Sequence, residues 1–150
     1  MAADVLVLKE TAAGEKRVAA TPETVKKLAA AGARVRVETG AGLAAGITDQ
    51  AYADAGAQPA GSDARAGAEL VLCVQPPPAA AIAGLRQGAT LVGMLHPQAD
   101  PARADALQAR AIQAFPLERL PRTTRAQAMD VLSSQAGMAG YKAVLIAAQL

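Results

Sequence analysis

The sequence predicts an α/β fold whose parallel sheet carries helices on both faces. Short apolar runs alternate with segments that have helix start and stop signals. That spacing leaves a crossover connection between consecutive strands, which only parallel neighbours require. A length of 150 residues with 52% apolar residues is sufficient for one domain with its own core.

The first half of the chain contains two apolar runs and two segments that begin at a threonine and end at a glycine. β-branched and aliphatic residues dominate the runs, which is typical of buried strands. A hydroxyl before the first turn and a glycine after the last turn are typical of helix boundaries. We therefore predict strands at Val5–Leu8 and Val35–Glu38, and helices from Thr21 to Gly32 and from Thr48 to Gly56.

The second half repeats this alternation with three more apolar runs. The first of them ends at Pro76–Pro78, because proline rings remove backbone donors. Five parallel strands in this pattern predict a flavodoxin-like arrangement. The predicted elements are strands at Glu69–Val74, Ala89–Leu95 and Ala111–Leu117, a short helix at Ala79–Leu85 and a longer helix at Pro101–Arg110.

A long final helix is predicted over Ala126–Leu150, where Gly137 and Gly140 are the only residues that disfavour a helix. No stop signal is visible at its end, so we expect the element to continue beyond this chain.

Composition excludes several functional classes. The net charge is +2 with both signs interleaved, so there is no basic stripe for nucleic acid. Cys73 is the single cysteine, which excludes an internal disulfide and a cysteine-rich metal site and fits a reducing compartment. We expect no metal ligands, no secretion leader and no membrane-spanning segment, because the apolar run Ala143–Leu150 is far too short.

Polar side chains are concentrated between Leu120 and Gln135. Gln127, Asp130 and Ser133 follow one another at intervals of three, so on a helix they would drift slowly around one side. Glutamine and aspartate offer donors and acceptors beside arginine, which suits an amide-bearing ligand such as nicotinamide. From spacing alone, the alternative is a loop and helix start with Asp130 and Ser133 facing solvent.

The same segment resembles a known signature. Arg122-x-x-Arg125-Ala126-Gln127-x-Met129-Asp130-x-Leu132-Ser133-Ser134-Gln135 is similar to the signature loop and helix of the transhydrogenase alpha subunit. Upstream, Lys9-Glu10, Glu15–Ala19, Thr21-Pro22, Gly40–Gly42 and Asp49-x-x-Tyr52 match a pattern that alanine dehydrogenases share with transhydrogenases. The resemblance covers nearly the whole chain, which is thus identified as a member of the alanine dehydrogenase/pyridine nucleotide transhydrogenase family.

This resemblance implies a cofactor site and a reaction. In the family, the residues corresponding to Arg122, Gln127, Asp130 and Ser133 surround the nicotinamide and ribose of NAD(H). Hydride then passes directly from NADH to NADP on a partner subunit, so no residue acts as a catalytic acid or base. The protein positions the reactants and excludes water.

The resemblance also implies a domain division and partners. Residues 1–125 form the N-terminal α/β domain, and residues 126–150 form a helix leading toward a Rossmann domain that is absent here. We therefore expect NAD(H) binding in the intact enzyme and weak or no binding by this chain. The expected partners are the NADP-binding beta subunit, the membrane domain and a second copy in a homodimer. The expected location is cytoplasmic, peripheral to the inner membrane through those partners.

Two alternatives stay open. The first is a fragment of an alanine dehydrogenase, an enzyme that needs a lysine, a histidine and an arginine for its keto acid. Arg17 and His96 correspond to two of these, but Gln75 occupies the lysine position and cannot act as a general acid. Arg17 is otherwise explained by a structural ion pair, and His96 by a histidine at a strand end. The second alternative is a non-catalytic interaction domain.

Two features are misleading. Gly40–Gly46 resembles a dinucleotide fingerprint but has three residues before its last glycine, so we interpret it as a turn. Cys73 lies inside an apolar strand and is expected to pack rather than react.

Overall fold

The fold is a six-stranded parallel sheet with helices on both faces, as predicted. The computed structural model describes residues 2–121 and 123–149. Within them, the strands are β1 (Asp4–Val7), β2 (Arg34–Glu38), β3 (Gln58–Ala60), β4 (Leu70–Leu72), β5 (Thr90–Gly93) and β6 (Gln113–Pro116). The helices are α1 (Pro22–Ala30), α2 (Asp49–Asp54), α3 (Ala79–Ala83), α4 (Pro101–Ala109) and α5 (Val131–Ala147).

The strand order is β3-β2-β1-β4-β5-β6, and every neighbouring pair is parallel. Without β3 this is the flavodoxin-like order that the sequence predicts. The prediction missed β3, which is three residues long, polar and contains Pro59. Because β3 pairs only with β2 at the sheet edge, a proline is tolerated there.

Two apolar clusters lie on opposite faces of the sheet. On one face, Leu6 and Leu91 pack with Ile82 of α3 and Leu107 of α4. On the other, Val7 and the β2 valines pack with α1 and α2. Burial on both sides explains why the strands read as continuous apolar runs.

The predicted helix boundaries in the first half are confirmed. The Thr21 hydroxyl accepts the Thr24 backbone N–H at 3.3 Å, and the Thr48 hydroxyl accepts that of Ala51 at 3.2 Å. Gly32 follows α1 with a φ of +89°, a conformation that glycine adopts without steric cost.

The predicted start of the last helix is wrong. Gln127–Met129 forms a separate 3-10 turn, and α5 begins at Val131 rather than Ala126. Asp130 is extended and caps α5, since its carboxylate accepts the backbone N–H groups of Leu132 and Ser133 at 2.9 and 3.2 Å. This local capping outcompetes continuation of the helix. Gln127, Asp130 and Ser133 therefore do not share one helix.

The segment Gly40–Gly46 is a turn followed by a 3-10 turn at Leu43–Ala45, as interpreted from the sequence. A Cβ at Gly42 would lie 2.7 Å from the Tyr52 ring. The glycine there permits close packing of the turn against α2.

Candidate functional site

A cleft of about 790 Å³ lies at the carboxyl ends of β5 and β6. Met94 and His96 follow β5, and Leu117 and Glu118 follow β6. The rest of the wall comes from the Arg17 loop after β1 and from the segment that leads into α5. Ligands of open α/β sheets bind at this edge, outside the carboxyl ends of the strands.

Glu118 joins the two strand-end loops of the cleft. Its carboxylate accepts the backbone N–H of Leu95 at 3.1 Å and that of His96 at 2.8 Å. His96 has a φ of +40°, which is uncommon for a residue other than glycine. Such conformations persist where the surrounding contacts enforce them, often at functional sites.

Asp130 and Ser133 lie at the N-terminus of α5, where this helix forms part of the cleft wall. Besides its two backbone acceptor contacts, Asp130 accepts the Ser133 hydroxyl at 2.6 Å. The cap therefore fixes both side chains relative to the first turn of the helix. Both residues line the cleft, as does Gln127 from the preceding 3-10 turn.

Three of the four residues predicted from the sequence thus meet at one cavity. Gln127, Asp130 and Ser133 line the cleft even though they belong to a turn, a cap and a helix. Arg122, the fourth, lies outside the described residues. Gln127 and Asp130 both line a cavity near the strand ends, and their contact with a cofactor stays a prediction.

Sequence reasoning missed the apolar side of the cleft. Met94, Leu117 and Leu120 contribute hydrophobic surface to its lining. The available signal was the position of Met94 and Leu117 at the ends of the predicted strands Ala89–Leu95 and Ala111–Leu117. Gln135 was also missed as a site residue, although it stands in the same signature as Ser133.

Arg17 forms a polar network at the cleft edge. Its guanidinium contacts the Glu15 carboxylate through Nε at 2.8 Å and Nη2 at 2.6 Å, and Nη1 donates to the Gln135 side chain at 2.9 Å. The Gln75 amide donates to the same Glu15 carboxylate at 2.8 Å. The Arg17 contact lowers the pKa of Glu15 to about 2, so this carboxylate is ionised at neutral pH.

Glu10 lies at the crevice between β1 and β4, where the strand order reverses. Its carboxylate accepts the backbone N–H groups of Val74 at 2.6 Å and Gln75 at 3.0 Å. Burial raises the pKa of Glu10 above its ordinary value, against the effect of these two contacts. A carboxylate of the chain itself occupies the place where related sheets bind ligands, and the cleft lies farther along, beside β5 and β6.

A family model matches most of the chain. Residues 6–139 match the model described as alanine dehydrogenase/PNT, N-terminal domain. The chain belongs to this family.

Relatives in the family include both enzyme types. An NAD(P) transhydrogenase subunit alpha protein of Rhodospirillum rubrum is 43% identical over 148 residues, which cover 94% of this chain and 38% of that protein. Alanine dehydrogenase of Bacillus subtilis is 35% identical over 144 residues, covering 95% of this chain and 37% of that enzyme.

A solved transhydrogenase structure from Sinorhizobium meliloti superposes with a TM-score of 0.92 at 42% identity. It covers 97% of this chain and 44% of the compared one. The chain therefore spans less than half the length of these relatives.

Within the family, the alanine dehydrogenase interpretation depends on Arg17, Gln75 and His96. The Arg17 guanidinium is in an ion pair with Glu15, as the structural interpretation expected. The Gln75 amide donates to Glu15 and is not among the residues lining the cleft. His96 is half-exposed and does line it.

Cys73 is buried, and burial raises the pKa of its thiol to about 12. A thiol in that state packs and does not act as a nucleophile, in agreement with the expectation from the sequence. Among the described residues, no helix has the length and hydropathy required to cross a membrane.

Proposed function

We propose that this chain is the N-terminal part of the NAD(H)-binding alpha subunit of a proton-translocating NAD(P) transhydrogenase. Its cleft would position the nicotinamide for direct hydride transfer between NADH and NADP. The observation that carries the proposal is the convergence of Gln127, Asp130 and Ser133 on one cleft at the sheet edge. The identity to the Rhodospirillum rubrum subunit alpha supports the assignment.

The residues present fit a nicotinamide nucleotide. The side-chain amide of Gln127 offers a donor and an acceptor, which complement a carboxamide group. Gln127 is exposed in the cleft, so this amide is accessible to a ligand. Asp130 and Ser133 offer oxygens suited to ribose hydroxyls, and Met94 and Leu117 offer apolar surface for a ring.

The mechanism then needs no acid or base from this chain. NADH supplies the hydride when it is bound. Gln127 would hold the carboxamide, and the Asp130 cap would hold the Ser133 hydroxyl at a fixed place on the wall. Arg122 is assigned to the same site through the family resemblance. Positioning of this kind lowers the barrier by removing translational and rotational freedom before the reaction.

The proposal includes partners. An NADP-binding beta subunit would cover the open side of the cleft, and a membrane domain would place the assembly at the cytoplasmic face of the inner membrane. A homodimer is proposed because α5 exposes a row of large apolar side chains, among them Met138, Tyr141 and Val144.

Alanine dehydrogenase is the second candidate, and His96 in the cleft favours it. A histidine beside bound pyruvate could exchange a proton with the substrate. The glutamine at position 75 opposes this function, because a neutral amide cannot replace the lysine. Activity measurements are therefore needed to distinguish the transhydrogenase function from the alanine dehydrogenase function.

A chimera tests the proposal. This chain replaces the aligned segment of the Rhodospirillum rubrum subunit, which supplies the remaining domains, and the partner subunits of that organism are added. We expect NADH-driven reduction of an NADP analogue and no amination of pyruvate. Gln127→Ala and Ser133→Ala should each lower the hydride-transfer rate about three- to tenfold, as loss of one hydrogen bond predicts.

Ser134→Ala is the matched control, since the Ser134 hydroxyl donates to the Val131 carbonyl and the residue does not line the cleft. It should retain the parent rate. Pyruvate amination without hydride transfer to the NADP analogue would favour the alanine dehydrogenase function. A folded chimera with neither activity would favour the interaction domain.

A further inference from the structure

Helix α5 is attached to the rest of the fold by few contacts. None of its residues is buried, and the element that it contacts most is the 3-10 turn Leu117–Arg119. The beginning of this helix nevertheless carries Asp130 and Ser133, which form part of the cleft wall. The shape of the cleft therefore depends on whatever holds the first turns of α5 in place.

Within the described residues, a side-chain hydrogen bond joins these turns to the sheet edge. Nη1 of Arg17 donates to Oε1 of Gln135 at 2.9 Å, across 118 positions of sequence. Gln135 stands two residues after Ser133, on the next part of the same helical turn. Movement of Gln135 would consequently carry Ser133 with it.

Arg17 is itself held by several hydrogen bonds. Glu15 binds the Arg17 side chain at two nitrogens and also accepts the Arg17 backbone N–H at 2.9 Å. The Gln75 side-chain amide donates to Oε2 of Glu15, the oxygen that also accepts from Nη2 of Arg17, and the Gln75 backbone N–H donates to the Glu10 carboxylate. The guanidinium is planar, so two fixed nitrogens determine the direction of the third.

We propose that Arg17 is a positioning residue that holds Gln135 and so sets the distance of Asp130 and Ser133 from the ends of β5 and β6. This inference rests on the proposed function for its effect on nicotinamide, but its effect on α5 does not. The network of Glu10, Gln75 and Glu15 keeps the guanidinium aimed at the helix. Arg17 acts through Gln135 and does not take part in hydride transfer.

The experiment uses the 150-residue chain and two readouts. Backbone ¹⁵N relaxation reports the motion of α5, and chemical-shift titration with nicotinamide mononucleotide at millimolar concentrations reports ligand affinity. Adenosine monophosphate is the comparison ligand, because it has the ribose and phosphate without the nicotinamide. Arg17→Ala and Gln135→Ala should both increase the motion of the first turns of α5 and weaken mononucleotide binding about two- to fivefold.

Three further variants make the test specific. Arg86→Ala removes an arginine of similar exposure that pairs with Glu69 away from the cleft, and it should change neither readout. Gln135→Glu keeps an acceptor for Nη1 of the Arg17 guanidinium and should leave both readouts close to those of the parent. The double variant Arg17→Ala/Gln135→Ala should be no worse than either single one, since both remove the same contact.

The outcomes separate this inference from the proposed function. If Arg17→Ala leaves α5 as ordered as Arg86→Ala does, the positioning role is refuted. If Gln135→Ala weakens binding without loosening α5, Gln135 contacts the ligand directly and the role is again refuted. If the unaltered chain responds equally to the two mononucleotides, the nicotinamide function fails, while the relaxation data still decide the role of Arg17.

Discussion

The sheet and the C-terminal segment are held by different forces. In the sheet, residues such as Leu6 and Leu91 are fully buried beneath the helices that cover one face. In α5 no residue is buried, and Leu132 is 60% exposed. The candidate site lies where these regions meet. Its base is thus fixed by apolar packing, whereas its opposite wall is held by a helix cap and a chain of charged contacts.

This difference shows why the wall is the region where partners are expected. Exposed polar contacts contribute little stability each, because water competes for them. Burial of apolar surface contributes far more, and α5 has such surface available. A partner that covers α5 would bury its apolar side chains, as the helices already do for the apolar side chains of the sheet.

The largest effect on the free energy of unfolding is expected from truncating a buried side chain of the sheet. Leu91→Ala should lower the free energy of unfolding by about 2–5 kcal/mol, because it leaves a cavity in the core of β5. Leu132→Ala, the matched change on α5, should stay within about 0.5 kcal/mol. Urea unfolding measures both. Equal losses would show that α5 is packed in solution and that the comparison is wrong.

The next largest effect concerns the affinity of this chain's cleft for NAD(H). This chain lacks the glycine fingerprint that cradles a pyrophosphate, so its NAD(H) affinity should be millimolar or weaker. Calorimetric titration measures this. A micromolar dissociation constant, equivalent to about 8 kcal/mol, would mean that the cleft wall supplies far more binding energy than its exposed polar contacts allow.

A smaller effect is expected on self-association through the exposed helix α5 in the proposed homodimer. Met138→Glu with Val144→Glu should weaken self-association about tenfold or more, since each buried apolar side chain contributes about 1.5–3 kcal/mol. Lys142→Gln on the same helix is the control and should associate as the parent does. Light scattering over a range of concentrations checks this, and a parent chain that stays monomeric at high concentration contradicts the dimer.

The smallest effect is the pH dependence of the polar network. Contact with Arg17 depresses the pKa of Glu15 to about 2 from its ordinary value of 4.5. The contribution of Glu15 to stability is therefore complete above about pH 4.5 and disappears as the pH falls toward 2. The difference in unfolding free energy between the parent and Glu15→Gln should be about 1 kcal/mol near neutral pH and shrink on acidification.

Glu23→Gln serves as the control, because Glu23 pairs with Lys27 on the open surface of α1. Its difference from the parent should be smaller near neutral pH. A Glu15→Gln difference that stays constant from neutral pH down to strong acid would show that the ion pair does not stabilise the fold.

Most of the sheet could be predicted because its signals are local. An apolar run such as Val5–Leu8 predicts a strand, and a cap such as Thr21 predicts a helix start, from a few neighbouring residues. Parallel pairing then follows from the alternation of strands and helices. The edge strand Gln58–Ala60 could not be predicted, since its pairing with β2 comes from tertiary contact and not from its composition. The start of α5 was misplaced because Asp130 is acceptable both within a helix and as its cap.

Hydrophobic periodicity, helix caps and sequence motifs are properties of residues close together in the sequence. The amino-acid order alone therefore determined the fold class, the family and the segment that contains the candidate residues. The meeting of Gln127, Asp130 and Ser133 at one cleft, and the reach of Arg17 to Gln135, became visible only in the folded chain. Those contacts depend on how strand ends far apart in sequence come together at one edge of the sheet. Local patterns carry no information on such distances, so the wall of the site emerges only when the chain is folded.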